Sequence, residues 1–155
     1  NSQSSRIVVL FGDSHEDFWQ IVKDVQRKLI AAHVFESTEM KIDQYRAGFG
    51  TILFYEDQQT IRQLQKKVPF NSDEFPVWSE QTSGMAQYAV WTALADLDIG
   101  ACLKHYNPSI DLAIAQHFSI KDSWLLRAQL VFGSIEQAAT IKDEPEDSER
   151  FKIFF

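Results

Sequence analysis

The sequence predicts a single α+β domain spanning residues 1–155, an antiparallel or mixed sheet flanked by helices. Three observations carry that prediction. Short apolar, β-branched runs (RIVVLF, TILFYE, LLRAQLVFG) are separated by segments whose apolar residues recur every three or four positions. Hydrophobic residues make up 45% of the chain and aromatic residues 13%, enough to build one sizeable core. No internal repeat, low-complexity tract or linker-like stretch divides the 155 residues.

The elements follow in order. Arg6 to Phe11 reads as a buried strand, ended by Gly12 and Asp13. Ser14 starts a helix with His15, Glu16 and Asp17 in its first turn, where acids suit the helix dipole. Phe18, Ile21, Val22, Val25, Leu29 and Ile30 give that helix one apolar face. A second, short helix is expected from Ser37 or Thr38 to Arg46. Gly48 and Gly50 bracket Phe49 ahead of a strand from Thr51 to Glu56. Asp57 then caps a helix carrying Ile61, Leu64 and Val68, which Pro69 stops.

The proline-punctuated PFNSDEFPVW reads as a loop. A helix from about Ser79 to Asp98 mixes Gly84, Ala86, Ala89, Ala93 and Ala95 with Met85, Tyr88, Trp91 and Leu94 on every side. Such a helix is expected to be buried nearly all round, and in a chain of this length that needs a partner subunit. After Gly100 come a short strand ACLKHY, a helix from Asn107 or Pro108 to about Phe118, and the strand LLRAQLVFG. Glu136 to Glu149 is an acidic loop. RFKIFF is expected as an extended strand, with Phe151, Ile153 and Phe155 on one face and Arg150, Lys152 and Phe154 on the other.

Composition narrows the function. A net charge of −7 without any basic run argues against nucleic acid, whose phosphates demand a positive surface. No apolar stretch has the length of a membrane span, and the first residues lack a signal-peptide pattern. The single cysteine, Cys102, allows no internal disulfide and suits a reducing compartment, so a cytoplasmic setting is expected. Between Ala101 and Leu103 in an apolar strand, it is expected to be a buried core thiol. His15, His33, His105 and His117 show no metal-ligand spacing. GxSxG, GxGxxG and GxxxxGK[ST] are all absent, and no catalytic side chain is assigned.

What remains is a set of polar clusters at strand ends. NSQSSR is either a polar strand lead-in or a recognition loop, whose amides offer donors and acceptors to a heterocycle's edge. GACLKHYNPSID turns from strand to helix, with Asn107 as a cap and with Lys104, His105 and Tyr106 clustered just before it. Arg150 and Lys152, two apart on an extended strand, either converge on one phosphate or face solvent. Phe70, Phe75 and Trp78 either border a space for flat aromatic molecules or are core.

Taken in order, NSQSSR, FPVWSEQTSGM and LKHYNPSID resemble the nitroreductase family, in the branch of fungal fatty-acid-repression proteins and bacterial copper-induced nitroreductases. The likeness extends over nearly the whole chain. It implies a nitroreductase-like fold in an intertwined homodimer with FMN as cofactor. It also implies hydride transfer from NADH or NADPH through the flavin to small aromatic acceptors, nitroaromatics or quinones, in ping-pong fashion. Carried over residue by residue, it implies flavin contacts at Asn1, Gln3 and Arg6, and a polar contact near Gln81 or Thr82. It further implies a backbone hydrogen bond to flavin N5 where this chain has His105 and Tyr106, and phosphate contacts from Arg150 and Lys152 on a tail swapped onto the partner. The family's N-terminal helical segment, with its Arg-rich phosphate contact, is expected to be absent from these 155 residues. The alternative function is a non-catalytic flavin-binding regulatory dimer in lipid or stress signalling.

Overall fold

A computed structural model describes residues 2–140 and 150–154. The four apolar runs become strands β1 (Ser5–Phe11), β2 (Gly50–Asp57), β3 (Gly100–Lys104) and β4 (Trp124–Gly133). They form one antiparallel sheet in the order β1-β2-β4-β3. All eight residues of β2 are buried, as its central place in the sheet requires. Ser5 pairs with Glu56, Glu56 with Leu125, and Lys104 with Gln129. That register gathers the start of β1, the end of β2, the start of β4 and the outlet of β3 at one end of the sheet.

Helices cover both faces. On one, α1 (Gly12–Leu29), α2 (Ala32–Arg46) and α5 (Asp111–Phe118) bury Leu10, Leu53, Tyr55, Leu126 and Val131 beneath Phe18, Trp19, Val22, Ile42 and Ile114. His15 is buried here too, bonded through Nδ1 to Thr51 Oγ1 at 2.9 Å and through Nε2 to the Arg46 carbonyl at 3.0 Å. On the other face, α4 (Glu74–Ala95) packs Ala86, Val90 and Leu94 onto Ile52, Phe54, Ala128, Leu130 and Phe132. α3 (Gln58–Lys67) leaves the end of β2, and the Asp57 carboxylate accepts from the Gln59 N–H at 3.0 Å as its N-cap.

An irregularity divides the pairing of β2 and β4. Phe54 pairs with Ala128 but Tyr55 pairs with Leu126, so Arg127 is an extra residue on β4. Leu126 joins the core beneath α1 and Ala128 the core beneath α4. Arg127 also points toward α4, where its Nε donates to Glu80 at 2.9 Å.

Several boundaries differ from expectation. α2 starts at Ala32, several residues ahead of Ser37, with no side-chain cap at Ala31. α4 starts at Glu74, so the second half of the expected aromatic loop is its first turn and more. Pro76 is its third residue, where the missing N–H breaks no intrahelical bond. β3 ends at Lys104 and α5 starts at Asp111, shorter than ACLKHY and the Asn107 or Pro108 start. Only Ser79 and Ser83 of α4 are buried within the single chain, because the subunit covers one stripe of that helix. Cys102 is exposed, contrary to the expected core position, because β3 is the edge strand and has a ladder neighbour on one side only.

The acidic stretch lies largely outside the described residues, as does Phe155. Residues 151–154 form no strand within the single chain, contrary to the expected extended strand. No helix among the described residues is long and apolar enough to cross a membrane.

Candidate functional site

The polar lead-in to β1 is a built structure. Gln3 has a left-handed backbone (φ 48°), a conformation that costs a non-glycine residue something and needs support from its surroundings. Arg6 gives that support. Its Nη1 donates to the Gln3 carbonyl at 2.7 Å and to the Ser5 carbonyl at 2.9 Å, and its Nη2 pairs with Asp57 at 3.2 Å. Burial alone would raise the Asp57 carboxyl. Hydrogen bonds from Ser123, Thr60 and the Gln59 N–H, with the Arg6 charge behind them, outweigh it and hold Asp57 below its ordinary range. Ser4 is fully buried, and its carbonyl accepts from the Asp57 N–H at 2.8 Å.

The loop faces α4 across a cavity of about 650 Å³ lined by Ser2, Gln3, Ser5, Arg6, Thr82 and Met85. A second cavity of about 300 Å³ shares Ser2 and Thr82 with it and is otherwise walled by Leu64, Phe75 and Trp78. Phe75 and Trp78 meet edge to face at 5.3 Å. The larger space offers an amide, a guanidinium and hydroxyls around one apolar side chain. The smaller one is mainly aromatic and aliphatic. Both volumes are within the range of about 300–1,000 Å³ common for small-molecule sites.

The expected residues separate as follows. Gln3, Arg6 and Thr82 come together in one cavity; Gln81 is exposed beside Thr82 and is not in its lining. Asn1 lies outside the described residues. His105 and Tyr106 leave β3 toward the same end of the sheet but do not line this cavity. His105 is exposed. The Tyr106 N–H donates to Gln129 Oε1 at 2.8 Å, and the ring packs against Trp19, so much of Tyr106 serves the core. Burial, with the nearby Tyr45, raises the Tyr106 phenol above its ordinary value, against a smaller opposing effect of Lys104. Arg150 and Lys152 are exposed, and the Arg150 guanidinium lies over the Phe151 ring at 5.6 Å. Phe70 is almost fully exposed and walls neither cavity.

The sequence reading missed Glu56. It is fully buried and accepts from three serine hydroxyls: Ser4 at 2.6 Å, Ser5 at 2.5 Å and Ser79 at 2.6 Å. A glutamate ending an apolar strand, with a serine run elsewhere in the chain, was the available signal. Among the described residues, no group of three or more His, Cys, Asp or Glu could hold a metal ion.

Residues 1–134 match the Nitroreductase family. The chain belongs to that family. Its fold superposes on nitroreductase CinD from Lactococcus lactis in complex with chloramphenicol with a TM-score of 0.90 and 44% identity, covering 99% of this chain and 78% of that one. The same enzyme in complex with 4-nitrophenol gives 0.89 and 45%, over 99% and 78%. Among curated relatives, nitroreductase FRM2 of Saccharomyces cerevisiae is 33% identical over 133 residues, 86% of this chain and 65% of the relative. The chain therefore spans about two thirds of the curated relative's length. Two of the three motifs that carried the resemblance, NSQSSR and FPVWSEQTSGM, contribute residues to the cavity between the β1 lead-in and α4, and LKHYNPSID does not.

Proposed function

We propose that this chain is an FMN-dependent oxidoreductase acting as a homodimer, with the cavity between the β1 lead-in and α4 as its flavin site. The observation that carries the reading is the convergence of Gln3, Arg6 and Thr82 on one space of about 650 Å³. Their chemistry fits the group: an amide for the polar edge of a planar heterocycle, a guanidinium for negative charge, and Met85 as an apolar contact for a ring. FMN bound there supplies two-electron redox chemistry, drawing on NADH or NADPH and serving nitroaromatic or quinone acceptors by ping-pong turnover.

The chain's own residues bind and orient. Arg6 holds Gln3 in its left-handed conformation, so the amide side chain is placed before any ligand arrives. Thr82 donates its hydroxyl proton to the Trp78 carbonyl at 2.8 Å, which leaves its oxygen as an acceptor. With the Tyr106 N–H engaged by Gln129, the backbone donor to the ring nitrogen falls to the His105 position. Phe75 and Trp78, in the adjoining cavity, supply flat apolar walls suited to an aromatic acceptor. Asn1 from the loop, and Arg150 and Lys152 from a partner's tail, complete the proposed contacts. The dimer is supported by Met85, Tyr88 and Trp91 on the outer side of α4, and by Ile7, Val9 and Phe11 on β1, all exposed in one subunit.

The test is direct. The purified chain is expected to be yellow, to bleach with NADH or NADPH under nitrogen, and to regain colour with a quinone. Absence of flavin binding after reconstitution would overturn the reading. Binding without bleaching by either nicotinamide would favour a regulatory flavoprotein.

A further inference from the structure

Glu56 is a buried acid without an ion-pair partner among the described residues. Its carboxylate is solvated instead by three hydroxyl donors from two elements, Ser4 and Ser5 at the start of β1 and Ser79 on α4. Short O–H to carboxylate bonds of this kind are among the stronger hydrogen bonds in proteins. A buried carboxylate deprived of them would be costly, so the arrangement is tightly determined.

Two consequences follow for the cavity. The first concerns shape. Ser5 lines the cavity on the loop side, and Ser79 is one turn before Thr82, which lines it on the α4 side. One carboxylate therefore ties the two walls together. The second concerns the direction of protons. A serine has a single O–H. Ser5 spends its own on Glu56 and so presents only acceptor lone pairs to the cavity. Ser4 spends its own as well, so across the 3.3 Å contact between Ser2 and Ser4 the proton must come from Ser2. Ser2, which lines both cavities, is thereby made an acceptor too.

We infer that Glu56 is a positioning residue that polarises the serine wall of the cavity, making Ser2 and Ser5 hydrogen-bond acceptors that select a ligand edge carrying an N–H donor. Gln3 and Arg6 supply donors on the same loop, so the wall reads a heterocycle edge in which donor and acceptors alternate. In FMN that edge is the imide, with N3–H between two carbonyls. The inference rests on the flavin reading of the cavity and adds the group that sets its polarity.

The experiment titrates apoprotein with FMN and with N3-methyl-FMN, following quenching of flavin fluorescence, in the wild-type chain and in Glu56→Gln. The wild type is expected to bind FMN about tenfold or more tightly than the methylated probe, the effect of one good hydrogen bond. In Glu56→Gln the new amide can donate toward a serine oxygen and reverse its proton. The ratio should fall toward one, with weaker FMN binding overall. Steric exclusion of the methyl group alone would give equal ratios in both proteins and would overturn the inference. Ser5→Ala, a half-buried change, gives a second reading should Glu56→Gln fail to fold. It should lower the same ratio in a protein that stays folded with a reduced melting temperature, and an unaltered ratio would again overturn the inference. A wild-type chain that binds neither probe overturns the flavin reading itself, whereas tight FMN binding with no discrimination overturns only the role of Glu56.

Discussion

α1 and α4 cover opposite faces of the same sheet, and they do so in opposite ways. α1 turns its large residues inward: Phe18, Trp19 and Val22 have no exposed surface, and its one buried charge, Lys23, is paired with Glu39 and Asp43 of α2. α4 turns small and medium residues inward, chiefly Ala86, Val90 and Leu94, and leaves Trp78, Met85, Tyr88 and Trp91 outside. The first helix is completed by its own chain. The second leaves its largest apolar side chains where its own chain does not reach, the surface that the proposed dimer would cover.

The largest effect is expected on the α1 side. Trp19→Ala removes a fully buried ring that also donates from Nε1 to Thr51 at 2.9 Å. Urea denaturation should show a loss of about 3–5 kcal/mol. A change of similar size for Trp91→Ala in the monomeric form would erase the contrast between the helices. Next comes association. Tyr88→Asp should shift a dimer toward monomer in sedimentation equilibrium, at a cost of about 2 kcal/mol or more if Tyr88 is a central contact. An unchanged mass would show that the outer side of α4 is not the interface.

Asp57 tests the self-contained side of the comparison at the site end. Losing its helix cap through Asp57→Ala should cost about 1 kcal/mol near neutral pH, with or without flavin. The sign with pH is fixed by its lowered folded value. Its contribution is fully present above the ordinary 3.8 and fades as pH falls below that toward the folded value, so the variant should show a shallower acid limb. Equal slopes for both proteins would remove Asp57 from the acid response. Cys102→Ser is the smallest change expected, within about 0.5 kcal/mol, because the thiol sits exposed on the edge strand and belongs to neither core. Rapid labelling of the native thiol should accompany it, and a protected thiol would place this edge in an interface.

The elements that sequence placed well are those whose signals are local. β1, β2 and β4 are apolar runs bounded by glycine or acid, and the Asp57 cap is read within three residues. The start of α2 carries no local signal, because no side chain caps it. The first turn of α4 looks like loop in the sequence because Pro76 breaks a helix in general but not at its third position. Gln3 and Arg6 stood out by donor density before a buried strand. Glu56 could not, because its role exists only once register sets it against Ser5 and packing brings Ser79 over it. The engagement of the Tyr106 N–H is likewise a tertiary event, a side chain on β4 answering a backbone group beyond β3.

The extra residue on β4 bears on which mutations this chain can absorb. Because Arg127 and Ala128 both point toward α4, side chains before and after them follow opposite alternations. Deleting Arg127 would leave Leu126 and Ala128 adjacent and still facing α1 and α4, so the ladder would become regular at the cost of the Glu80 contact. Losing Leu126 instead would either put Arg127 into its place in the core or turn Leu125 toward α1, since a shift of one residue exchanges the faces of a strand. A single-codon deletion of Arg127 should therefore be far better tolerated than one of Leu126.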